Sequence, residues 1–187
     1  MAPGIIAALI HRERSGEGQW VHTSLIEGML NKLDFQGARY TVAGDIPVQE
    51  GNAHPTQVPM STFDASDGQV NICASTQYMW AGFCEALGAH ALHQNADYQG
   101  FDLRVADRRH LDSAVNEVTR RFTVAELVAK LNPAGVPCGP VYNIGQAFED
   151  LQVKHLRMTR PAKHPVLGEV NLIRSPINLS ASPHPEY

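Results

Sequence analysis

Apolar residues recur at helical spacing along much of the chain, and the stretches differ in how they begin. Residues 4–13 carry Ile5, Ile6, Leu9 and Ile10 on one face and close on His11-Arg12-Glu13-Arg14, the pattern of the C-terminal part of an amphipathic helix. No capping residue precedes Ala2 to start that helix, so the opening run reads as the middle of a larger fold. Turn residues Ser15-Gly16-Glu17-Gly18 follow, and Gln19-Trp20-Val21-His22-Thr23 predicts a short strand. Ser24 and Glu27 have the spacing of a capping box, so a helix is expected from Leu25, with Ile26, Met29, Leu30, Leu33 and Gly37 turned to a core.

Periodicity then lapses. From Val42 to Pro59, Gly44, Asp45, Pro47, Gly51, Asn52, Pro55 and Pro59 interrupt every pattern, which predicts a long connecting loop and a domain boundary. Beyond it, Met60-Ser61-Thr62-Phe63 and Val70-Asn71-Ile72-Cys73-Ala74 flank Ser66-Asp67-Gly68, the signature of a β-hairpin. A helix is expected over Gln77–Leu87, with Met79, Trp80, Phe83, Cys84 and Leu87 inward and Gly88 ending it. Residues 89–106 read as polar and irregular.

Leu111, Ala114, Val115, Val118 and Phe122 return to helical spacing, predicting a helix over Asp107–Arg121. Thr123 and Glu126 form a second capping box ahead of Leu127, Val128 and Leu131, and Pro133 and Gly135 stop that helix. Residues 135–141 predict a short extended segment, Asn143 caps a helix to about Leu151, and turn-like His164-Pro165-Val166-Leu167-Gly168 leads into the weakly alternating Val170–Ile173.

Composition narrows the possibilities. With 43% hydrophobic and 18% charged residues, the 187-residue chain is globular rather than disordered. A net charge of −4, with basic residues scattered, argues against a nucleic-acid partner. The longest apolar run, Ile5–Ile10, falls far short of the roughly 20 residues that span a bilayer, and no leader-like segment precedes it. No membrane partner and a cytoplasmic location are therefore expected. Cys73, Cys84 and Cys138 make an odd count without CxxC spacing, which fits reduced, buried thiols. His90 and His93 stand three apart without further ligands, so no metal site is expected.

Four stretches, taken in order, resemble the class III CoA-transferase family, the group that includes carnitine-CoA transferase, formyl-CoA transferase and acyl-CoA racemase. They are Ala7-Ala8-Leu9 with Arg12, Ser15-Gly16-Glu17-Gly18-Gln19 and Ser24-Leu25; then Gly51-Asn52-Ala53-His54-Pro55 with Val58-Pro59, Phe63 and Asp67-Gly68. Ala134-Gly135-Val136-Pro137 with Gly139-Pro140-Val141 is the third, and His164-Pro165, Gly168 and Ser175-Pro176 the last. Ser15 replaces a more frequent Thr, His22 stands near a frequent Asp, Gln49 and Glu50 stand where an Arg is common, and the glycine-rich loop of the formyl-CoA transferase branch is absent.

The resemblance implies an α/β fold: a small α/β domain plus flanking segments of an incomplete Rossmann-like large domain, in a family of interlocked homodimers. It divides the chain into 1–41, a remnant of the large CoA-binding domain; 42–59, a linker; 60–142, the small α/β domain; and 143–187, a segment returning to the large domain. It implies a coenzyme A thioester and a carboxylic acid as substrates, with no prosthetic group. The family's nucleophile is an Asp that holds the acyl group covalently, as exchange of a thioester between two acids requires. It lies upstream of the segment matching Ala7–Gln19, so no catalytic residue is assigned in this chain. Asp34, Asp45, Asp64 and Asp67 sit where local structure accounts for them. Gly51, Asn52 and His54 are the candidates for a loop that shapes the acyl pocket. Met79, Trp80 and Phe83 read as core before pocket wall, and Arg108 and Arg109 as solvated charge before anion ligands.

Three functions follow as expectations: the C-terminal part of a CoA-transferase, inactive alone; the same part of a 2-methylacyl-CoA racemase; or a truncated interaction module that pairs through the Ile5–Ile10 face.

Overall fold

The computed structural model of the protein describes residues 2–182, and the chain divides into two compact units, Met1–Gly51 and Asn52–Tyr187. The first holds three helices, α1 (Ala2–Ser15), α2 (Leu25–Asn31) and α3 (Asp34–Ala43). Ser24 starts α2 as the sequence predicts: its hydroxyl accepts the Glu27 amide at 3.3 Å, and the Glu27 carboxylate accepts the Ser24 amide at 2.6 Å. Those bonds from Ser24, side chain first and backbone second, hold the Glu27 carboxyl below its ordinary pKa. Gly44 ends α3 in the left-handed conformation at φ 75°.

Two expectations fail in this unit. Gln19–Thr23 forms no strand, because no second strand among the described residues of the unit offers it a ladder. The expected core positions are exposed, from 47% at Leu33 to 67% at Met29, with Gly37 half-buried. Their spacing is amphipathic, but three short helices enclose nothing, and no described residue of 2–51 is buried.

The second unit contains the core. Strand β1 (Met60–Asp64) pairs antiparallel with β2 (Gln69–Cys73), Phe63 opposite Val70 and Asp64 opposite Gln69. The intervening turn closes with the Ala65 amide donating to the Gly68 carbonyl at 2.8 Å. Alternation sends Phe63, Val70 and Ile72 inward, while Thr62 and Asn71 face out, the threonine hydroxyl donating to the Asn71 side chain at 2.7 Å. Helix α4 (Gln77–Ala86), capped by Thr76, buries Trp80, Phe83 and Cys84.

Residues 89–106, expected to be irregular, are helical: α5 (His90–Gln94), a 3-10 turn over Ala96–Tyr98, and α6 (Phe101–Ala106). The pieces are too short to show periodicity, and their two buried anchors, Tyr98 and Arg104, are a polar-tipped ring and a cation. Helix α7 (Arg108–Thr119) packs Leu111, Val115 and Val118, and α8 (Val124–Leu131), opened by the Thr123–Glu126 capping box, packs Leu127 and Leu131. The C-terminal end of α7 also seals the edge strand: Asn116 Oδ1 accepts the Asp64 amide at 2.8 Å, and the Thr119 hydroxyl donates to the Asp64 carbonyl at 2.7 Å.

Strand β3 (Cys138–Pro140) joins the other edge of β2, giving the antiparallel order β1-β2-β3. Two glycines set its approach. A Cβ on Gly82 would lie 2.9 Å from the Ala134 carbonyl oxygen, so α4 reaches the Ala134–Pro137 turn only without a side chain there. Gly135 has φ +74° and the Tyr78 ring 3.1 Å from where its Cβ would stand.

The helix expected from Asn143 to about Leu151 is two helices, α9 (Ile144–Glu149) and α10 (Leu151–His155). Asp150 leaves the helical region at ψ 137° and caps α10 with its own carboxylate. Strands β4 (Thr159–His164) and β5 (Gly168–Ile173) then pair as a hairpin around His164–Gly168.

Candidate functional site

The loop that carries the candidate pocket residues is fixed at its C-terminal end. His54 donates its amide to the Met60 carbonyl at 2.8 Å, the Val58–Pro59 bond is cis, and the Pro59 carbonyl accepts the Ala74 amide at 2.9 Å. Val58 is buried against the sheet. The His54 ring turns inward on its own loop: Nδ1 lies 3.2 Å from the Thr56 amide and 3.1 Å from the Gln57 amide. Two amides donating to Nδ1 require that nitrogen to be unprotonated, which assigns the Nε2–H tautomer from the bonding pattern. Asn52 is exposed in the preceding turn, and Gly51, in the first unit, sits in a turn at φ 64°. The three candidates therefore share a stretch of loop, but His54 alone is tied into the core.

His164 repeats the arrangement: its Nδ1 accepts the Val166 amide at 3.2 Å and the Leu167 amide at 3.1 Å. Among the described residues, both His-Pro pairs thus use the imidazole to cap a turn, which gives His54 and His164 a structural task before any chemical one.

Two arginines hold the His54 loop from behind. Arg108, at the start of α7, donates to the His54 carbonyl, which corrects the expectation that it is merely solvated; Arg109 is exposed. Arg104 is fully buried and distributes its guanidinium over the Val58, Tyr98 and Ser75 carbonyls and the Gln77 side chain, at 3.4, 3.0, 3.2 and 3.0 Å. It also lies 5.6 Å from the Trp80 ring centroid, a cation–π contact on the order of 2 kcal/mol when desolvated. This side chain ties the loop, the end of β2, α4 and the 3-10 turn into one node. Sequence reasoning missed it, since nothing in a sequence separates an arginine that binds carbonyls from one in water.

Asp112 was also missed. One turn beyond Arg108 on α7, its carboxyl is pushed up by burial against the opposing pull of the Arg108 guanidinium.

The other carboxylates have local tasks. Asp64 bonds Arg120 at 2.7 Å and Gln69 at 3.2 Å, and those bonds, Arg120 first, hold its carboxyl low. Asp67 accepts the Val124 amide at 2.8 Å, capping α8 across the hairpin. Asp45 stands 4.0 Å from Arg39, and Asp34 opens α3 at φ 50°. None is placed as a desolvated, activated nucleophile.

Burial pushes the Cys84 thiol up to about 12 and the Cys138 thiol up to about 11, so neither is a thiolate at neutral pH. Met79, Trp80 and Phe83 belong to the core, with Trp80 and Phe83 stacked at 5.7 Å. Among the described residues no group of three or more His, Cys, Asp or Glu side chains could hold a metal ion, and no helix is long and apolar enough to cross a membrane.

Comparison with known proteins places this geometry in context. The family model for CoA-transferase family III matches residues 1–186. The chain is 33% identical over 180 residues to a succinyl-CoA:mesaconate CoA-transferase of Haloarcula hispanica, covering 96% of this chain and 45% of that protein. It is 26% identical over 168 residues to the succinyl-CoA:glutarate CoA-transferase of Homo sapiens, covering 90% of this chain and 38% of that one. A crystal structure of a CaiB/BaiF family protein from Brucella suis superposes with a TM-score of 0.80 at 31% identity, over 96% of this chain and 46% of that one. The chain thus spans less than half the length of these relatives.

Proposed function

The chain belongs to CoA-transferase family III, and on that premise we propose that it is the C-terminal portion of an enzyme that moves CoA between an acyl-CoA and a carboxylic acid. The acyl group would be held on an Asp outside this chain, so the chain is inactive alone. The observation that carries this reading is the match of the CoA-transferase family III model across residues 1–186, alongside relatives named as CoA-transferases. Those names favour transfer over the isomerisation that a racemase would perform. The setting of the carboxylates agrees: Asp64 and Asp67 are committed to Arg120, Gln69 and a helix N-terminus.

Within the full enzyme, the loop of Gly51, Asn52 and His54 would border the acyl pocket, with His54 offering its Nε2–H side. Arg104 and Arg108 would act as positioning residues that keep the loop in place, since both bond its carbonyls. The chain would lie in an interlocked homodimer, with residues 1–41 as part of a Rossmann-like large domain, 42–59 as linker, 60–142 as the small domain and 143–187 as the return to the large one.

A second reading, a module that pairs with a longer partner, is supported by the exposure of Ile5, Ile6, Leu9 and Ile10. Exchange of labelled succinate into succinyl-CoA by the purified chain separates activity from its absence. No exchange is expected; exchange without any added partner overturns the reading of a missing nucleophile.

A further inference from the structure

Trp80 and Arg104 meet inside the second unit, and each keeps a donor that no group of the described residues accepts. Trp80, on α4, is 0% exposed, and its Nε1–H is sealed from solvent with no acceptor among the described residues. Arg104, on α6, is equally buried. A guanidinium carries five N–H groups. The Val58, Tyr98 and Ser75 carbonyls and Gln77 Oε1 take four of them, one at Nε, two at Nη1 and one at Nη2. One Nη2–H is left over. The guanidinium carbon lies 5.6 Å from the Trp80 ring centroid, so the two spare donors belong to side chains in contact.

Sealed donors of this kind are rare in native folds, because each forfeits the bond that water gives it in the unfolded chain. The neighbouring rings do not meet both needs. Phe83 lies within 9° of parallel to Trp80, so its π face is turned to the indole face and away from the in-plane N–H. Tyr98 stands nearly perpendicular, at 83° and 6.4 Å between centroids. An N–H···π contact with Tyr98 is a weak bond, and it would serve the indole while leaving the Arg104 hydrogen unmet.

The electrostatic setting selects the acceptor. No carboxylate bonds Arg104 among the described residues, yet four oxygen atoms already point at its guanidinium and would repel an anion brought among them. Water fits better. Its oxygen accepts two N–H bonds, and its hydrogens return to the second lone pairs of the carbonyls that Arg104 uses.

We propose that Trp80 and Arg104 share one internal water, which accepts from Trp80 Nε1 and Arg104 Nη2 and donates to a carbonyl of the same node. The water gives α4 a polar tie to α6 beside the ring contacts. It thereby joins the indole to the side chain that holds the Val58 carbonyl of the His54 loop. The site stands or falls separately from acyl transfer, because it is read in the purified chain without CoA.

The test is nuclear magnetic resonance of the full chain in water. The two tryptophans give two indole Nε1–H resonances, and Trp20→Phe, at a residue 86% exposed, identifies the Trp80 signal by elimination. That proton is expected to exchange with solvent at least tenfold more slowly than the indole proton of Trp20. It should also show a cross-peak to the water frequency, of opposite sign in laboratory-frame and rotating-frame experiments, the mark of a bound water rather than of proton exchange. Tyr98→Phe should keep the cross-peak, which shows that the tyrosine hydroxyl does not relay it.

A slowly exchanging indole proton without that cross-peak overturns the proposal, and an upfield position of its resonance then assigns the donor to the Tyr98 face. Exchange as fast as at Trp20 overturns it as well, since the donor then meets bulk solvent. A saturable shift of the Trp80 resonance with chloride, absent with sulfate at equal ionic strength, overturns it in favour of an anion.

Discussion

Residues 2–51 and residues 58–136 are written in the same amphipathic language and come to opposite ends. The later stretch contains every member of the main apolar cluster, from Val58 to Val136, and Trp80, Phe83, Leu111 and Leu127 are fully buried. The earlier one has equally regular apolar faces, at Ile5, Ile6, Leu9 and Ile10 and at Ile26, Met29, Leu30 and Leu33, and none of these residues is buried. Periodicity states which face needs a partner, not whether the partner is in the same chain. In 58–136 it is, because a three-stranded sheet gives α4, α7 and α8 a common surface. In 2–51 three short helices have no sheet to pack on.

The sharpest way to break this contrast is to truncate one apolar side chain in each region. Trp80→Ala should cost about 3–5 kcal/mol, more if the Arg104 guanidinium loses its ring as well. Leu30→Ala should stay within about 0.5 kcal/mol. Urea denaturation followed by circular dichroism reads both; comparable losses would show that the α2 face is covered.

Gly82→Ala comes next in size. The new methyl would meet the Ala134 carbonyl at 2.9 Å, and overpacking of that kind costs roughly 1–3 kcal/mol. Gly28, with nothing within 4 Å of its Cβ position, is the matching control in the first unit. Gly28→Ala should be neutral or slightly stabilising, since alanine is the better helix former.

The smallest effects are those of pH. Asp112 has its carboxyl raised by burial, so the folded state binds the proton more tightly than the unfolded one. Stability therefore falls as pH rises from the ordinary carboxylate value through the raised one, and Asp112→Asn removes that slope. Asp64, held low chiefly by Arg120, has the opposite sign: its contribution is present at neutral pH and is lost as pH falls through the lowered value. Urea midpoints of the two Asn variants between about pH 3 and about pH 7 should diverge in these directions. Parallel profiles would contradict the assignment.

What was legible in the sequence follows the same division. The hairpin, α4, α7, α8, the capping boxes at Ser24 and Thr123 and the helix cap at Asn143 were all visible, because each rests on local spacing. The strand at 19–23 was not there to find, since a strand exists only with a ladder partner. The helices of 89–106 were hidden because buried Arg104 looks like a surface residue. At the candidate loop, the sequence located His54 through its motif but not its bonding. That Nδ1 caps its own turn, and that Arg108 holds its carbonyl, depend on residues up to 54 positions apart.

Hydrogen–deuterium exchange on the purified chain tests the contrast most directly, because amide protection reports local opening without a substrate or a partner. The account predicts strong protection for the amides of β2 and α4 and rapid exchange throughout α1, α2 and α3. Protection of α1 and α2 equal to that of α4 would contradict it, since it would show that the faces of Ile5, Leu9, Ile26 and Leu30 are covered within the chain itself.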